Sequence, residues 1–563
     1  MELSKITYDV SRCYLQDRKS KLPADCWNTL HGWIRARDFQ RLASCTSHFT
    51  LDVTCVEGVR TLHQIEAFFK KNASFAVNLH TRLAAIIAFD EGEQICEETN
   101  ARLDDYYCSS RVYQTSLPSD DFDLPIKIRR AQQYIEKVLG PFPDFLRVIP
   151  ELIQVTSGAT ATRSRRKAFP HLKISRRTVC TPGALPYLAS LSEFFGYETF
   201  RAKLITSNRV AFVPKSWKTE RTIACEAEGN MCLQLAFDKY AKRRLRRFGV
   251  NLSDQTRNQE LAKEGSINGK LSTIDLSMAS DTLAYNTVAL LLPGEWFQYL
   301  RSIRSEGYAL YPNQDEKYHK FSSMGNGATF SLETLVFAAL CSAVGSSAFS
   351  VYGDDIIIES ELASDLIALL GFFGFVPNTE KSYTTGSFRE SCGKSWYKGF
   401  DVTPRYIRDV DSRKATLCHV INCMMEISEP FGALEEYVHG LVREHKLPLV
   451  PYNEDSMSGV WIHPHFAYEK KLIVTPTRGK HAWIPRFKAY KPLARVNRVY
   501  DYRAYVLWFL RNWSRRSTEA SDEATRYTTS SHKYVRKWVH WRPVVGAPEN
   551  LYWYSENLIH RVS

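Results

Sequence analysis

The chain of 563 residues lacks any Cys-x-x-Cys pair, and its thirteen cysteines are an odd number at irregular spacing. That excludes a disulfide framework and reads as reduced thiols in a cytosolic protein. The nearest thing to a metal cluster, Cys418-His419 with Cys423, reads as structural cysteine. No apolar run approaches the ~20 residues that span a bilayer; Val336–Val344 is among the longest. Met1–Ser20 is polar and charged, without the apolar centre of a secretion signal. Internal repeats, low-complexity runs and long Pro/Gly/Ser linkers are also missing. Gly393-Lys394-Ser395 imitates the end of a phosphate-binding Walker loop, but Phe388 stands where that loop needs its first glycine. The expectation is a soluble intracellular protein with no membrane partner. Its 44% hydrophobic and 24% charged residues are ordinary globular values, which excludes a disordered or fibrous chain.

Basic charge and aromatic rings are what the sequence has in quantity. Lys and Arg number 74 against 61 Asp and Glu, a net of +13, beside 30 Phe, 29 Tyr and 12 Trp. Phosphates want cations and bases want flat partners, so the balance suits nucleic acid. The charge is uneven. Lys471–Ser563 carries +12 and Ala161–Cys180 carries +7, leaving −6 elsewhere. Lys239, Lys242, Arg243, Arg244, Arg246 and Arg247 crowd a stretch in which Leu233, Phe237, Tyr240 or Ala241, Leu245 and Phe248 keep a helical period, with Gly249 as its stop. Such a helix presents either phosphate contacts or a solvated face. In the C-terminal region Trp508, Trp513, Trp538 and Trp541 interleave with Arg511, Arg515, Arg516, Lys537 and Arg542, as base-stacking platforms or as core.

Carboxylates carry the chemistry. In Val351-Tyr352-Gly353-Asp354-Asp355-Ile356-Ile357-Ile358, apolar residues flank a Gly-Asp pair, the pattern of a tight hairpin. Two acids at its tip are either solvated or hold divalent metal. Upstream, Leu271-Ser272-Thr273-Ile274-Asp275 reads as a strand ending on an acid. If Asp275 lies beside the tip, the three carboxylates can bind two Mg²⁺ ions about 4 Å apart for in-line nucleotidyl transfer. Between them, Ser323-Met324-Gly325-Asn326-Gly327 lets backbone approach a ligand closely. Earlier still, Lys215, Lys218 and Arg221 place three cations at three-residue intervals, suited to a triphosphate.

In this order, the basic loop, the Asp275 strand, the Gly325-Asn326-Gly327 loop and the Tyr352–Asp355 hairpin resemble motifs F, A, B and C of viral RNA-dependent RNA polymerases. More closely, Ile274–Asp281, Ser323–Gly327 and Phe388-Arg389-Glu390-Ser391-Cys392-Gly393 resemble the replicase β subunit of leviviruses, the positive-strand RNA phages of the Q-beta kind. The resemblance runs from about Phe212 to Ile407 and implies an α+β right-hand polymerase with fingers, palm and thumb around an antiparallel palm sheet. Drawn around the motifs and by position alone, the N-terminal region and part of the fingers fall in 1–200, the catalytic core in 201–410, and the thumb with a basic C-terminal region in 411–563.

It implies that Asp275, Asp354 and Asp355 hold two Mg²⁺ ions, with Mn²⁺ or Ca²⁺ as substitutes. Lys215, Lys218 and Arg221 would hold the triphosphate, and Asp281, Ser323 and Asn326 would read the ribose. Lys381 would be the general acid for pyrophosphate. Arg389 and Lys394 would touch RNA backbone, beside Arg243, Arg244, Arg246 and Arg247. The implied activity is RNA-directed RNA synthesis on a single-stranded phage genome from NTPs, without a primer, in the cytoplasm of an infected bacterium. Implied partners are host elongation factors Tu and Ts and other host RNA-binding proteins. A reverse transcriptase-like polymerase would share the aspartates but not the Gly-Asn-Gly loop. A non-enzymatic RNA-binding protein would explain the basic tail and leave the motifs to coincidence.

Overall fold

Ile356-Ile357-Ile358 forms the middle of a three-stranded antiparallel sheet, in which Asp355–Glu359 pairs with Leu271–Ile274 on one side and Ser350–Tyr352 on the other. β-Branched residues favour the pleated backbone, and here both faces are covered. Ile357 meets Ala262 and Leu271 under the helix Thr256–Asn268, while Ile356 and Ile358 join the larger core. The second covering layer is the helix Thr329–Ala343, buried around almost its whole circumference, with Glu333 as its single charged residue. An apolar helix of this kind belongs at the centre of a fold.

The computed structural model describes residues 3–49, 53–112, 123–156, 158–164, 168, 173, 177–191, 201–311, 314–407, 413–452, 454–469, 474–478, 483–498, 526–540 and 549–562. A four-stranded sheet, ordered Glu220–Cys225, Ser207–Pro214, Gly307–Tyr311, Gln314–Lys317, carries the Lys215–Thr219 loop at a hairpin tip. A smaller meander, Phe388–Ser391, Lys394–Tyr397 and Phe400–Asp401, turns at Cys392-Gly393, both with positive φ. The helix Glu228–Arg247 ends where the sequence pattern places its stop, with Gly249 at φ +86°. Within the described residues no helix is long and apolar enough to cross a membrane, and no disulfide joins any of the cysteines.

The architecture is α+β, as expected, but the core does not divide at residue 200. One large apolar cluster runs from Leu103 to Phe375 and holds the three-stranded sheet. A second joins the N-terminal helices (Ile6 to Phe69) to residues between Val402 and Ala467 and to Leu551, Tyr554 and Leu558. The first 70 residues therefore pack with the C-terminal part. Asp17 accepts hydrogen bonds from the N–H groups of Ala433 and Leu434, capping the helix Ala433–His445, and Arg18 pairs with Glu429. The basic C-terminal region is in part a long antiparallel pair, Trp483–Arg498 with Arg526–His540, which sets Lys488 opposite Trp538. Trp508, Trp513, Trp541, Arg511, Arg515, Arg516 and Arg542 lie outside the described residues.

Candidate active site

Asp275 leaves the edge of the sheet and is wrapped by the segment 378–382. Its carbonyl accepts from the Asn378 N–H (2.8 Å) and its N–H donates to Ser382 Oγ (3.2 Å). Its Oδ2 accepts from Asn378 Nδ2 at 3.0 Å and from Lys381 Nζ at 3.3 Å. Beside it, Tyr352 pairs directly with Asp355, so Gly353 and Asp354 form a two-residue hairpin loop. Gly353 has φ +62°, and a Cβ there would lie 2.5 Å from the Phe330 ring. Its N–H donates to Thr334 Oγ1, tying the loop to the central helix. Glycine is required twice over, by conformation and by space.

The structure brings Asp275, Asp354, Lys381 and Lys215 into one electrostatic neighbourhood. Desolvation, then the charge of Asp275, pushes the Asp354 carboxyl above its usual range, with Lys381 and Lys215 pulling the other way. Burial pulls the Lys381 ammonium down, but Asp275, Glu390 and Asp354 outweigh it and hold it above the ordinary lysine range. Burial, then Arg221 and Lys381, lowers Lys215, which Asp354 and Asp275 in turn support. Lys218 carries its ammonium 5.4 Å from the Trp217 ring centre.

Asp355 is placed differently from the expectation that all three acids converge. Strand alternation sends its side chain toward the meander, where Ser391 Oγ (3.4 Å) and the Cys392 backbone hydrogen-bond to it. Desolvation, then Asp354, pushes it up to about 7. Among the described residues no three His, Cys, Asp or Glu side chains close into a ready-made metal cage. Mg²⁺ does not need one, because it is commonly held by one or two carboxylates with waters and substrate phosphates. Asp275 and Asp354 offer hard oxygen donors whose mutual repulsion a divalent cation would relieve, so the residues fit the ion.

The Gly325-Asn326-Gly327 loop is locked onto the strand Glu220–Cys225. The Ala224 N–H donates to the Met324 carbonyl (2.8 Å), and Gly325, at φ +105°, has no room for a Cβ against Ala224. Asn326 Oδ1 accepts from the Ala328 N–H, and the Ser323 carbonyl accepts from Thr329 Oγ1. Asp281 is held at the edge of this site by an unexpected partner. Lys320, fully buried, donates to Asp281 Oδ1 at 3.0 Å, reaches Glu93 at 3.1 Å and lies 3.8 Å from the Phe89 ring centre. Asp281 therefore commits one oxygen before any ligand arrives.

Three of the expected RNA contacts need correction. Arg389 is fully buried, and its guanidinium donates to the carbonyls of Leu271, Thr385, Gly386 and Phe388, so it latches the meander to the sheet. Arg244 donates to the Val138 and Lys137 carbonyls, closing the C-terminus of the helix Asp123–Leu139. Lys394 pairs with Asp401 at 2.7 Å. Of the basic stretch before residue 180, Arg163 pairs with Glu228 and Lys173 is buried against the Thr156 and Gly158 carbonyls; Arg165, Arg166, Lys167 and Arg176 lie outside the described residues. Arg243, Arg246 and Arg247 are exposed on one helix end. Cys423 touches the His419 ring at 3.8 Å and His419 Nδ1 meets Ser456 Oγ.

Sequence reasoning missed Lys320, Asn378 and Glu333. Only Glu333 leaves a signal in the sequence, as a lone acid inside an apolar helix, since unpaired carboxylates are almost never buried. Asn378 and Lys320 sit in unremarkable polar stretches.

The family model of the RNA replicase, beta-chain, matches residues 60–538. The RNA-directed RNA polymerase subunit beta of Qbeta virus (strain MX1) is 33% identical over 475 residues, covering 80% of this chain and 76% of that one. The corresponding subunit of Escherichia virus Qbeta is 36% identical over 385 residues, covering 67% of this chain and 64% of that one. The BmCPV RNA-dependent RNA polymerase, solved at its elongation state, shares 11% identity with a TM-score of 0.35, over 54% of this chain and 31% of that one.

Proposed function

The chain belongs to the RNA replicase beta-chain family of RNA-directed RNA polymerases, and we propose that it extends RNA at the Asp275–Asp354 site by two-metal nucleotidyl transfer on a single-stranded phage template. The observation that supports this is the meeting of Asp275, Asp354, Lys381 and Lys215 at one sheet edge. When bound there, two Mg²⁺ ions (or Mn²⁺ or Ca²⁺ in their place) supply Lewis-acid activation of the attacking hydroxyl and neutralise charge on the leaving group. Asp275 and Asp354 would hold them, with Asp355 fixing the hairpin from behind.

The RNA 3′-hydroxyl loses its proton to solvent as its oxygen attacks the α-phosphorus of the NTP, the bond from that phosphorus to the bridging oxygen breaks, and pyrophosphate leaves. Lys215 and Arg221 orient the triphosphate from the hairpin tip above the carboxylates. Lys381 starts protonated and gives its proton to pyrophosphate. Positioning and fixed charge carry most of the acceleration in such transfers. Fingers, palm and thumb, initiation without a primer, assembly with host elongation factors Tu and Ts and other RNA-binding proteins, and action in the bacterial cytoplasm belong to the same reading.

Incorporation of labelled NTP into acid-insoluble product tests it, with single-stranded RNA, Mg²⁺ or EDTA, and with or without bacterial extract. Wild type should synthesise RNA with Mg²⁺, and Asp354→Asn should abolish synthesis while sparing RNA binding. Synthesis by Asp354→Asn equal to wild type would refute the site. Dependence on extract that purified elongation factors Tu and Ts restore would identify those partners.

A further inference from the structure

The helix Asn78–Val112 has two faces of opposite fate. Thr81, Ala85, Phe89, Cys96, Thr99 and Leu103 share one side and are buried, with Cys96 Sγ donating to the Asp281 carbonyl. On the other side Leu79, Leu83 and Ile87 follow one another at four-residue steps and are 75%, 53% and 49% exposed. A surface helix ordinarily turns polar groups to that side. The same outward arc, about 120° wide, continues into Asp90, Glu91, Glu97 and Glu98, all exposed, and runs about 29 Å from Leu79 to Glu98. Opposite the acidic turns stand Glu316, Lys317 and His319, and a cleft of about 660 Å³ lies between the two walls. Glu93 is committed to Lys320, and His319 reaches Glu97 at 4.0 Å. Asp90, Glu97, Glu98 and Glu316 thus line the cleft with exposed carboxylates that outnumber its cations.

A contiguous apolar stripe turned to solvent marks a contact surface, and the acids that continue it fix the sign of what it contacts. Phosphates are repelled there, whether of RNA or of an anionic lipid, and the exposed Arg243, Arg246 and Arg247 lie on a different helix. We propose that this face docks a basic amphipathic segment of a second protein. Its apolar side chains cover Leu79, Leu83 and Ile87, and its Lys or Arg side chains enter the acidic cleft. Apolar cover supplies most of the affinity, while the carboxylates set the orientation and turn nucleic acid away. None of these residues belongs to the Asp275–Asp354 site, so docking and RNA synthesis are separately measurable.

The test uses the full chain and a fluorescent helical peptide of about 20 residues, read by anisotropy across a KCl series. One half of the peptide carries leucines at four-residue steps and the other half lysines on the same face. It is made in both orders, for parallel and antiparallel docking, beside counterparts with glutamate in place of lysine. Wild type should bind the lysine peptide in one order at least about tenfold more tightly than its glutamate counterpart. Leu79→Ser with Leu83→Ser and Ile87→Ser should weaken that binding about tenfold or more. Asp90→Asn with Glu97→Gln and Glu98→Gln should weaken it about fivefold and flatten its salt dependence. All six positions are exposed, so both variants should keep the wild-type melting temperature, NTP incorporation and RNA affinity. Absence of binding in both orders overturns the proposal, and so does equal binding by the serine variant, which reduces the contact to ion exchange. Lower affinity for single-stranded RNA in either variant would make the face an RNA path. A wild-type dimer in sedimentation velocity that the serine variant dissolves would make the occupant a second copy. Either of these results overturns the basic partner.

Discussion

Removing the Lys320 ammonium is the most direct way to ask whether the sugar side of the site is held by buried charge. The ammonium has no solvent exposure and serves two carboxylates at 3.0 and 3.1 Å, those of Asp281 and Glu93, both mostly buried. Lys320→Met takes away the cation and leaves two anions facing each other in a poorly solvated space. Breaking a buried pair in this way costs about 3–5 kcal/mol, and loss of the Phe89 ring contact adds to it. Taking about 4 kcal/mol, the folded population falls roughly a thousandfold relative to unfolded. Urea unfolding followed by aromatic fluorescence reads this directly.

The triple variant Lys320→Met with Asp281→Asn and Glu93→Gln removes the stranded charges. It should recover at least about 2 kcal/mol of the loss. Burial pulls Lys320 down, but Asp281 and Glu93 hold it above its ordinary value of 10.5. A raised lysine contributes stability that is fully present below the unfolded value and is lost only as pH rises through the folded one. The gap between wild type and Lys320→Met should therefore be flat from about pH 6 to 9. A Lys320→Met protein within about 1 kcal/mol of wild type would refute the account of the clamp.

Three further outcomes follow from the geometry. Gly353→Ala should cut incorporation at least ~100-fold with RNA binding retained, because its Cβ enters the Phe330 ring and its φ is strained; near-normal synthesis would contradict the turn. Replacing Arg243, Arg246 and Arg247 with Gln should reduce the slope of log affinity for single-stranded RNA against log salt by about 2, read by anisotropy across a KCl series. Arg244→Gln, by contrast, should leave that slope alone and cost about 1–3 kcal/mol of stability, since its bonds are to helix carbonyls. Asp355 and Asp354 are acids raised in the folded state, so their burden on stability grows as pH climbs from their unfolded value toward about 7 for Asp355, and is complete above it. The gain in melting temperature on adding Mg²⁺ should accordingly be larger at pH 8 than at pH 5.5 and vanish in Asp354→Asn. Equal gains at both pH values would refute it.

What the sequence made legible was local. Tyr352–Asp355 shows its hairpin because a two-residue turn needs Gly353 at one position, and Ile356–Ile358 shows a doubly covered strand because no polar residue interrupts it. The helix Glu228–Arg247 is visible through its period and its Gly249 stop. What remained hidden depends on long-range packing. Nothing near Arg389 says that the Leu271 carbonyl will join three from 385–388 around it, so a buried latch looks like an RNA contact. Lys320 and Glu93 are 227 positions apart and acquire meaning only once the helix Asn78–Val112 lies against Asp281. Asp355 joined the metal set in the reading because it is adjacent to Asp354, yet strand alternation points neighbouring side chains to opposite faces.

The pairing of the first 70 residues with the last has a consequence for how the enzyme comes into being. Asp17 waits for the helix that begins at Ala433, and the same apolar cluster needs Leu551, Tyr554 and Leu558 to close. A ribosome adding about 5–20 residues per second takes roughly 20–80 s to travel the intervening stretch of about 400 residues. Through that interval the N-terminal helices expose an apolar face with no partner from their own chain. Each polypeptide therefore passes through a window in which chaperones or a second nascent chain compete for that face. Synthesis of the stretch through Leu558, more than any step in the central sheet, sets the moment at which this cluster can close.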